Sequence, residues 1–225
     1  MNEKYLNTIT ENVTDIKHSL PSGVLLVAAV KTRLPDEVKA AIHAGIIAIG
    51  YNYVQEAERM HETIENPVQW HMIGHLQRNK VKKAVNLFDM IETIDSVELA
   101  EEVNKQCASV GKIMPVLIEI NSGKESNKTG ILPEHVDRLI MQISSLPNLR
   151  IQGLMTMGPR FGNPIDARPY FKATKTVFDR IMKTKGTHVE MRYLSMGMSN
   201  SYKIAIEEGA NIVRIGTVLF GKRNS

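Results

Sequence analysis

Short apolar runs alternate with helix-like segments along almost the whole chain, and this alternation restricts the fold more than any other feature. Eight runs look like buried strands, at residues 24–30, 46–50, 69–74, 90–95, 114–121, 149–157, 193–197 and 211–216. Eight strand–helix units in roughly 200–250 residues are the size of a compact (β/α)₈ barrel. The sequence therefore predicts an α/β fold in which residues 1–225 form a single (β/α)8 TIM barrel.

The helix-like segments carry start and stop signals. Residues 35–45 begin with a proline and end at a glycine, and residues 96–111 begin at a serine and end at a glycine. Residues 158–169 are irregular and are expected to form a surface loop over one mouth of the barrel. Before the first strand, apolar residues at three- and four-residue steps predict an extra N-terminal helix that ends at Pro21. These residues are Leu6, Ile9, Val13, Ile16 and Leu20.

An open, doubly wound sheet is the structural alternative. Its dinucleotide-binding form is weakened because no G-x-G-x-x-G motif follows the first predicted strand. The chain has no linker or low-complexity segment, so the sequence favours one domain.

The composition fits a globular protein with an anionic ligand better than a nucleic-acid or membrane protein. The net charge is +4, aromatic residues make up only 5% of the chain, and the densest basic stretch, residues 78–83, is typical of the solvated face of a helix. No apolar stretch reaches transmembrane length, and no signal-type apolar core opens the chain. The one cysteine, Cys107, fits a reducing compartment. We therefore expect a cytoplasmic protein.

Lys31 ends the first predicted strand, and barrels of this kind carry their chemistry at the C-terminal ends of the strands. Side chains alternate along a strand, so Lys31 shares a face with Ala29, Val27 and Leu25. On the barrel interior, desolvation and nearby cations lower the pKa of a lysine, and its neutral amine attacks an aldehyde. From position alone, a solvated lysine at a strand end is the commoner alternative.

The loops after the last two predicted strands favour a phosphate ligand. Ser199 precedes a helix-like segment, and a serine at a helix N-terminus has free backbone N–H groups behind it. Gly216 and Thr217 add a close backbone approach and a hydroxyl, where such barrels often bind phosphate. Closure of the barrel puts a phosphate there one or two strands from Lys31, at about 4.8 Å per strand. A helix cap and an ordinary turn are the alternatives.

Arg214 lies inside an apolar run, where a buried arginine is costly unless acceptors meet its donors. It points to the same side of its strand as Gly216. The span from Lys31 to the phosphate loops suits a small phosphorylated aldehyde, and Arg214 is then a candidate donor to the ring nitrogen of pyridoxal phosphate. The alternative is that Arg214 only braces the barrel by pairing with a carboxylate such as Glu119.

Six stretches that span nearly the whole chain carry a resemblance to a known family: LLVAAVKTRLP, GYNYVQE, WHMIGHLQRNK, NSGKESNKTGI, GLMTM and LSMGMSNSYKIAIEEGANIVRIGTVLFG. They resemble the pyridoxal phosphate homeostasis proteins (the YggS/PROSC family), whose fold is similar to the N-terminal barrel of alanine racemase. The resemblance implies pyridoxal 5'-phosphate as the cofactor, held as a Schiff base on Lys31. It implies five more cofactor-binding residues: Asn52, Ser199, Arg214, Gly216 and Thr217.

The resemblance also carries expectations about partners. It implies a cytosolic, monomeric or weakly associating protein that acts in vitamin B6 homeostasis and has no established reaction. The expected partners are the cofactor and apo-forms of pyridoxal-phosphate enzymes, with no nucleic acid and no membrane.

Two positions depart from the family pattern. The family usually reads Gly-Glu-Asn where this chain has Tyr51 before Asn52, and it usually has an aspartate at the position of Ser201. Asn52 and Ser199 are kept, so we expect cofactor binding to survive. Because Tyr51 and Ser201 replace the two family carboxylates, any role of those carboxylates in tuning the site or contacting a partner does not carry over to this chain.

The two histidines of the third strand region have open roles. His71 could line the barrel interior or serve as a hydrogen-bonded structural histidine, and His75 could cap a helix. They are four residues apart but not on one helix, and no carboxylate completes a ligand set. The sequence therefore predicts no metal site.

The chemistry expected of Arg214 favours a carrier over an enzyme. Carbanion chemistry on this cofactor benefits from an acidic partner at the ring nitrogen, and an arginine cannot accept a proton. The resemblance adds that alanine racemases pair a similar arginine with a tyrosine base from a β-domain, for which the chain after its last strand leaves no room. We predict a non-catalytic carrier or buffer. The alternatives are a weakly active racemase or lyase, and an aldolase-type barrel.

Overall fold

Eight parallel strands close into a barrel in the computed structural model, which describes residues 3–159, 162–183 and 188–222. The strands pair in chain order, and β1 closes the barrel by pairing with β8. Each strand overlaps one of the eight apolar runs, so the predicted barrel is confirmed. The strands are β1 (Leu25–Ala29), β2 (Ala48–Tyr51), β3 (Gln69–Met72), β4 (Met90–Ile94), β5 (Met114–Ile120), β6 (Leu149–Thr156), β7 (Val189–Ser195) and β8 (Ile212–Ile215).

The described helices lie outside the barrel. They are α1 (Glu3–Ser19), α2 (Pro35–His43), α3 (Val54–His61), α4 (Val81–Leu87), α5 (Val97–Ser109), α6 (Val136–Ile143), α7 (Arg168–Met182), α8 (Tyr202–Glu207) and α9 (Thr217–Phe220). Helices α2 to α8 connect successive strands, whereas α1 precedes β1 and α9 follows β8. α1 is the predicted extra helix. It buries Ile9, Val13 and Ile16 and packs against α2 and α9.

The core has two apolar layers because successive side chains of a strand point to opposite faces. Leu25, Val27 and Ala29 of β1 lie in the barrel interior, as the alternation of the sequence predicts. The larger layer lies between the strands and the helices. The interior side chains at the mouth end of β1 and β2 are small, since Ala29 pairs with Gly50, and this leaves room for a pocket.

Three boundaries differ from the sequence predictions. Strand β7 begins at Val189, four residues before the predicted run, and the helix expected directly after Ser199 begins only at Tyr202. The predicted loop 158–169 contains a 3-10 turn at Pro164–Ala167 and the start of α7, and its residues 160–161 lie outside the described chain. Helix and strand ends depend on tertiary contacts that periodicity does not encode.

Within the described ranges, none of the helices is both long enough and apolar enough to cross a bilayer.

Candidate functional site

A pocket of about 450 Å³ opens at the C-terminal mouth of the barrel, where the ends of β1, β2, β7 and β8 meet. All six predicted site residues line it: Lys31, Asn52, Ser199, Arg214, Gly216 and Thr217. Apolar side chains supply part of the remaining wall, from Ile73, Met157 and Met198. The barrel therefore brings together residues that are up to 186 positions apart in the sequence.

Lys31 lies two residues past the end of β1 and is partly buried. The following residue, Thr32, has a φ of 64°, which is an unusual left-handed conformation for a β-branched residue. Its N–H donates to Glu56 Oε2 at 3.3 Å. Pro35 then starts α2, and the sharp change of direction keeps the Lys31 side chain at the pocket.

The loops after β7 and β8 are joined through one hydroxyl. Ser199 Oγ accepts hydrogen bonds from the N–H of Gly216 at 3.2 Å and from the N–H of Val218 at 3.4 Å. The expectation that Ser199 caps the next helix is wrong, because Ser201 occupies the N-cap position of α8. Ser201 Oγ instead accepts from the Met198 N–H at 3.3 Å and stabilises the turn.

Gly216 passes close to β1 beneath the pocket. A Cβ at this position would lie 3.1 Å from the Ala29 carbonyl oxygen. The absent side chain thus leaves the backbone of this loop exposed toward the pocket, beside the Thr217 hydroxyl.

Arg214 lies under the pocket with only 3% of its surface exposed. Its Nη1 donates to Ser195 Oγ at 2.5 Å, and its Nη2 donates to the Thr156 carbonyl oxygen at 2.8 Å. The nearest carboxylate is Glu92, whose Oε2 lies 3.8 Å from Nη1, and not Glu119 as the bracing alternative suggested. Burial lowers the pKa of Arg214, and the charges of Glu92 and Glu119 oppose this effect.

A chain of buried polar groups crosses the barrel interior below the pocket. Ser195 Oγ donates to Glu92 Oε2 at 2.6 Å, and His71 Nδ1 lies 2.7 Å from Glu92 Oε1. Burial alone would raise the pKa of Glu92, but the hydrogen bond and charge of His71, the charge of Arg214 and the Ser195 hydroxyl together hold it below its ordinary value. The network joins β3, β4, β7 and β8.

Glu119 lies in the same interior but is held differently. Its Oε1 accepts from Thr129 Oγ1 at 2.9 Å, and within the described chain its buried Oε2 has no hydrogen-bond partner. Burial raises the pKa of Glu119. The interior therefore contains one carboxyl that favours the ionised form and one that favours the neutral form.

The two family departures lie outside the pocket lining. Tyr51 is buried in the layer between strands and helices, where its ring stacks on Trp70 with centroids 5.5 Å apart. Burial raises the pKa of Tyr51 well above its ordinary value. Ser201 is the N-cap residue of α8, and its hydroxyl bonds the Met198 N–H.

The histidines have separate environments. His71 is the buried, hydrogen-bonded histidine of the interior network, and the side chain of His75 is 51% exposed, with Nδ1 3.8 Å from Asp95 Oδ2. Across the described part of the chain, no group of three or more His, Cys, Asp or Glu side chains could hold a metal ion.

Sequence reasoning missed Glu92, Ser195 and Arg33. Glu92 carries the same signal as Arg214, a charge inside an apolar strand, and that signal would have identified it. Arg33 lines the pocket two residues after Lys31, but nothing in its local sequence distinguishes it from a solvated side chain.

Glu92→Gln should lower the free energy of unfolding at pH 7 by roughly 3–5 kcal/mol, because Arg214 loses its buried counter-charge. The folded-state pKa of Glu92 is lowered, so its stabilisation is present above the ordinary carboxyl pKa and is lost as the pH falls through the folded value. In urea denaturation, the difference in free energy of unfolding between wild type and Glu92→Gln should therefore shrink below about pH 4.

Glu119→Gln is the matched control, since it removes a buried carboxyl from the same interior. The pKa of Glu119 is raised, so ionisation of this carboxyl destabilises wild type as the pH rises. The free energy of unfolding of Glu119→Gln should therefore be no lower than that of wild type at pH 7, and higher than that of wild type at higher pH. Equal losses for the two variants would contradict the assignment of Glu92 as the counter-charge.

Comparison with known proteins agrees with this architecture. The family described as "Alanine racemase, N-terminal domain" matches residues 5–224. Alanine racemase of Clostridium difficile 630 superposes with a TM-score of 0.78 over 97% of this chain and 57% of that chain, at 16% identity, so this likeness concerns the fold alone.

Other relatives are more similar in sequence than the racemase, and two of them have the same name. The pyridoxal phosphate homeostasis protein of Aquifex aeolicus is 40% identical over 199 residues, which cover 88% of this chain and 86% of that protein. The mouse protein of the same name is 36% identical over 239 residues, covering 100% and 85%. PipY of Synechococcus elongatus, solved with PLP bound, has a TM-score of 0.87 and 31% identity, covering 95% and 100%. This chain belongs to the pyridoxal phosphate homeostasis protein family.

Proposed function

We propose that the mouth pocket binds pyridoxal 5'-phosphate as a Schiff base on Lys31, and that the protein acts as a carrier or buffer in vitamin B6 homeostasis. The observation that carries the proposal is that a lysine and two loops rich in backbone and hydroxyl donors line one pocket of about 450 Å³. The PLP-bound structure of PipY and the names of the relatives support the same ligand.

The pocket residues fit this group in size and chemistry. A volume of about 450 Å³ lies in the range typical of small-molecule sites. The hydroxyls of Ser199 and Thr217 can donate to a phosphate. The N–H groups of Gly216 and Val218 donate to Ser199 Oγ in the ligand-free protein, and they would become phosphate donors once a phosphate oxygen replaces that hydroxyl as their acceptor. Ile73 supplies an apolar wall suited to an aromatic ring.

The cofactor would supply an aldehyde, and the side chains of the pocket would bind and orient it. Lys31 would hold the cofactor: its neutral Nζ would bond to the aldehyde carbon, with loss of water. Arg214 already donates to Ser195 and to the Thr156 carbonyl, so its orientation is set before any ligand enters. We propose that its remaining N–H donors face the ring nitrogen and keep it unprotonated.

The lining of the pocket favours a carrier over a racemase or lyase. Apart from Lys31, the described lining residues include no His, Asp, Glu, Cys or Tyr side chain that could remove or return a proton. Racemisation needs one group to remove a proton from one face and another to return it on the opposite face. Steady turnover of an amino acid by the purified, cofactor-loaded protein would contradict the carrier assignment.

Lys31→Ala should abolish the borohydride-reducible adduct of pyridoxal phosphate while thermal melting shows an intact fold. Mass spectrometry of the reduced, digested wild-type protein should locate the adduct on Lys31. Lys124→Ala is the control, since Lys124 is an exposed lysine of the loop after β5 that is ion-paired with Glu134 and does not line the pocket. An adduct on Lys124 or Lys128 in wild type would refute the assignment.

Ser199→Ala and Thr217→Val should each weaken the binding of pyridoxal phosphate, because each removes a hydrogen bond to a charged group worth roughly 1.5–3 kcal/mol. Ser144→Ala removes an exposed hydroxyl that bonds only the local Met141 carbonyl and should have no effect. Titration calorimetry should also show that pyridoxal, which lacks the phosphate, binds wild type poorly. Equal affinity for the two ligands would place the phosphate elsewhere.

A further inference from the structure

The chain turns once more after β8, through residues 216–221, and the carbonyl groups at the end of this turn are bound by distant side chains. Asn12 Nδ2 donates to the Leu219 carbonyl oxygen at 3.1 Å. The Tyr5 hydroxyl lies 2.7 Å from the Phe220 carbonyl oxygen. Both side chains belong to α1, which is additional to the eight strand–helix units of the barrel.

Arg33, in the loop that contains Lys31, also bonds to carbonyl groups of the turn at residues 216–221. Arg33 Nη1 donates to the Phe220 carbonyl oxygen at 3.1 Å, and Nη2 donates to the Gly221 carbonyl oxygen at 2.7 Å. The guanidinium also lies 5.3 Å from the centroid of the Phe220 ring. The side chain is 8% exposed, so its bond to Phe220 is largely shielded from water, whereas the bond to Gly221 lies at the surface.

Glu37 joins the two sets of contacts. Its Oε1 lies 2.6 Å from the Tyr5 hydroxyl and 3.3 Å from Arg33 Nη1, and its Oε2 accepts from the Leu34 N–H at 2.6 Å. Burial and then Glu37 raise the pKa of the Tyr5 hydroxyl, whose single proton is shared between Glu37 Oε1 and the Phe220 carbonyl oxygen. A single, partly buried network thus contains α1, the loop after β1 and the turn after β8.

We propose that Tyr5, Asn12, Arg33 and Glu37, here called the clamp, are positioning residues for recognition of the phosphate group. The inference rests on the proposed function. By holding the carbonyl end of residues 216–221, the clamp fixes the position of the Gly216 and Val218 N–H groups, which donate to Ser199 Oγ at the wall of the pocket.

The same network sets the distance between the donors of the turn and Lys31, because Arg33 lies only two residues beyond that lysine. A donor set fixed before binding loses less entropy when the ligand arrives, so Tyr5 and Asn12 can raise the affinity although neither side chain lines the pocket. This gives α1 a role in binding although it lies outside the pocket lining.

A positioning role and a merely structural role differ in what they do to ligand selectivity. If the clamp aims the phosphate donors, its loss weakens binding of pyridoxal phosphate much more than binding of pyridoxal. If it only stabilises the fold, its loss weakens both ligands in proportion. The ratio of the two affinities is therefore the informative quantity.

The test uses the full-length double variant Tyr5→Phe/Asn12→Ala, which removes one hydroxyl and one amide. Alanine is a better helix former than asparagine, so a loss cannot be attributed to weakened helix propensity of α1. The matched control is Lys17→Met, which deletes a bond from α1 to the Gly45 carbonyl and leaves the turn untouched.

The double variant should bind pyridoxal phosphate roughly tenfold more weakly, as expected for the net loss of about one to two hydrogen bonds. Its affinity for pyridoxal should change by less than about twofold, and amide hydrogen exchange of residues 216–221 should be faster. Lys17→Met should change neither quantity.

Parallel losses for both ligands, or unchanged affinities, would overturn the proposal. Failure of wild type to bind pyridoxal phosphate would reject the proposed function instead. Hydrogen exchange in the ligand-free proteins separates the two failures: unchanged exchange of residues 216–221 in the double variant overturns the inference, whatever the affinity of wild type.

Discussion

A permanent cation lies in the interior of this barrel, and the surrounding strands are arranged to satisfy it. An unpaired guanidinium in such a place would cost several kcal/mol in lost hydration. Arg214 avoids that cost through the Ser195 hydroxyl, the Thr156 carbonyl and the nearby carboxylate of Glu92. Because these partners come from β7, β6 and β4, the arginine can be satisfied only when the barrel is closed.

The interior is thus layered from apolar to polar along the barrel axis. The lower layer is packed with side chains such as Val27, Leu117 and Ile212. The polar network follows, and the pocket with Lys31 opens above it. Outside the barrel, side chains of α1 bond to the turn at residues 216–221 and to Glu37 beside the Lys31 loop. Two loops that line the pocket are therefore held by contacts away from it.

The sequence predicts the barrel and the membership of the pocket because both depend on local patterns. Strand runs, alternation and position at strand ends are enough to bring Lys31, Arg214 and the two donor loops to one mouth, whereas Asn52 is predicted only from the family resemblance. What supports the pocket is not predicted in the same way. The bonds from Asn12 to Leu219 and from Arg33 to Gly221 join residues about 190 to 210 positions apart, and no periodicity reports such contacts.

A crystal structure of the borohydride-reduced protein prepared with pyridoxal phosphate would test the central claim most directly. The expected result is continuous density from Lys31 Nζ to the cofactor, with the phosphate within hydrogen-bond distance of Ser199 Oγ and of the Gly216 and Val218 N–H groups. Arg214 should face the ring nitrogen while keeping its bonds to Ser195. Density on another lysine, or a phosphate bound away from the loops after β7 and β8, would contradict the proposed site.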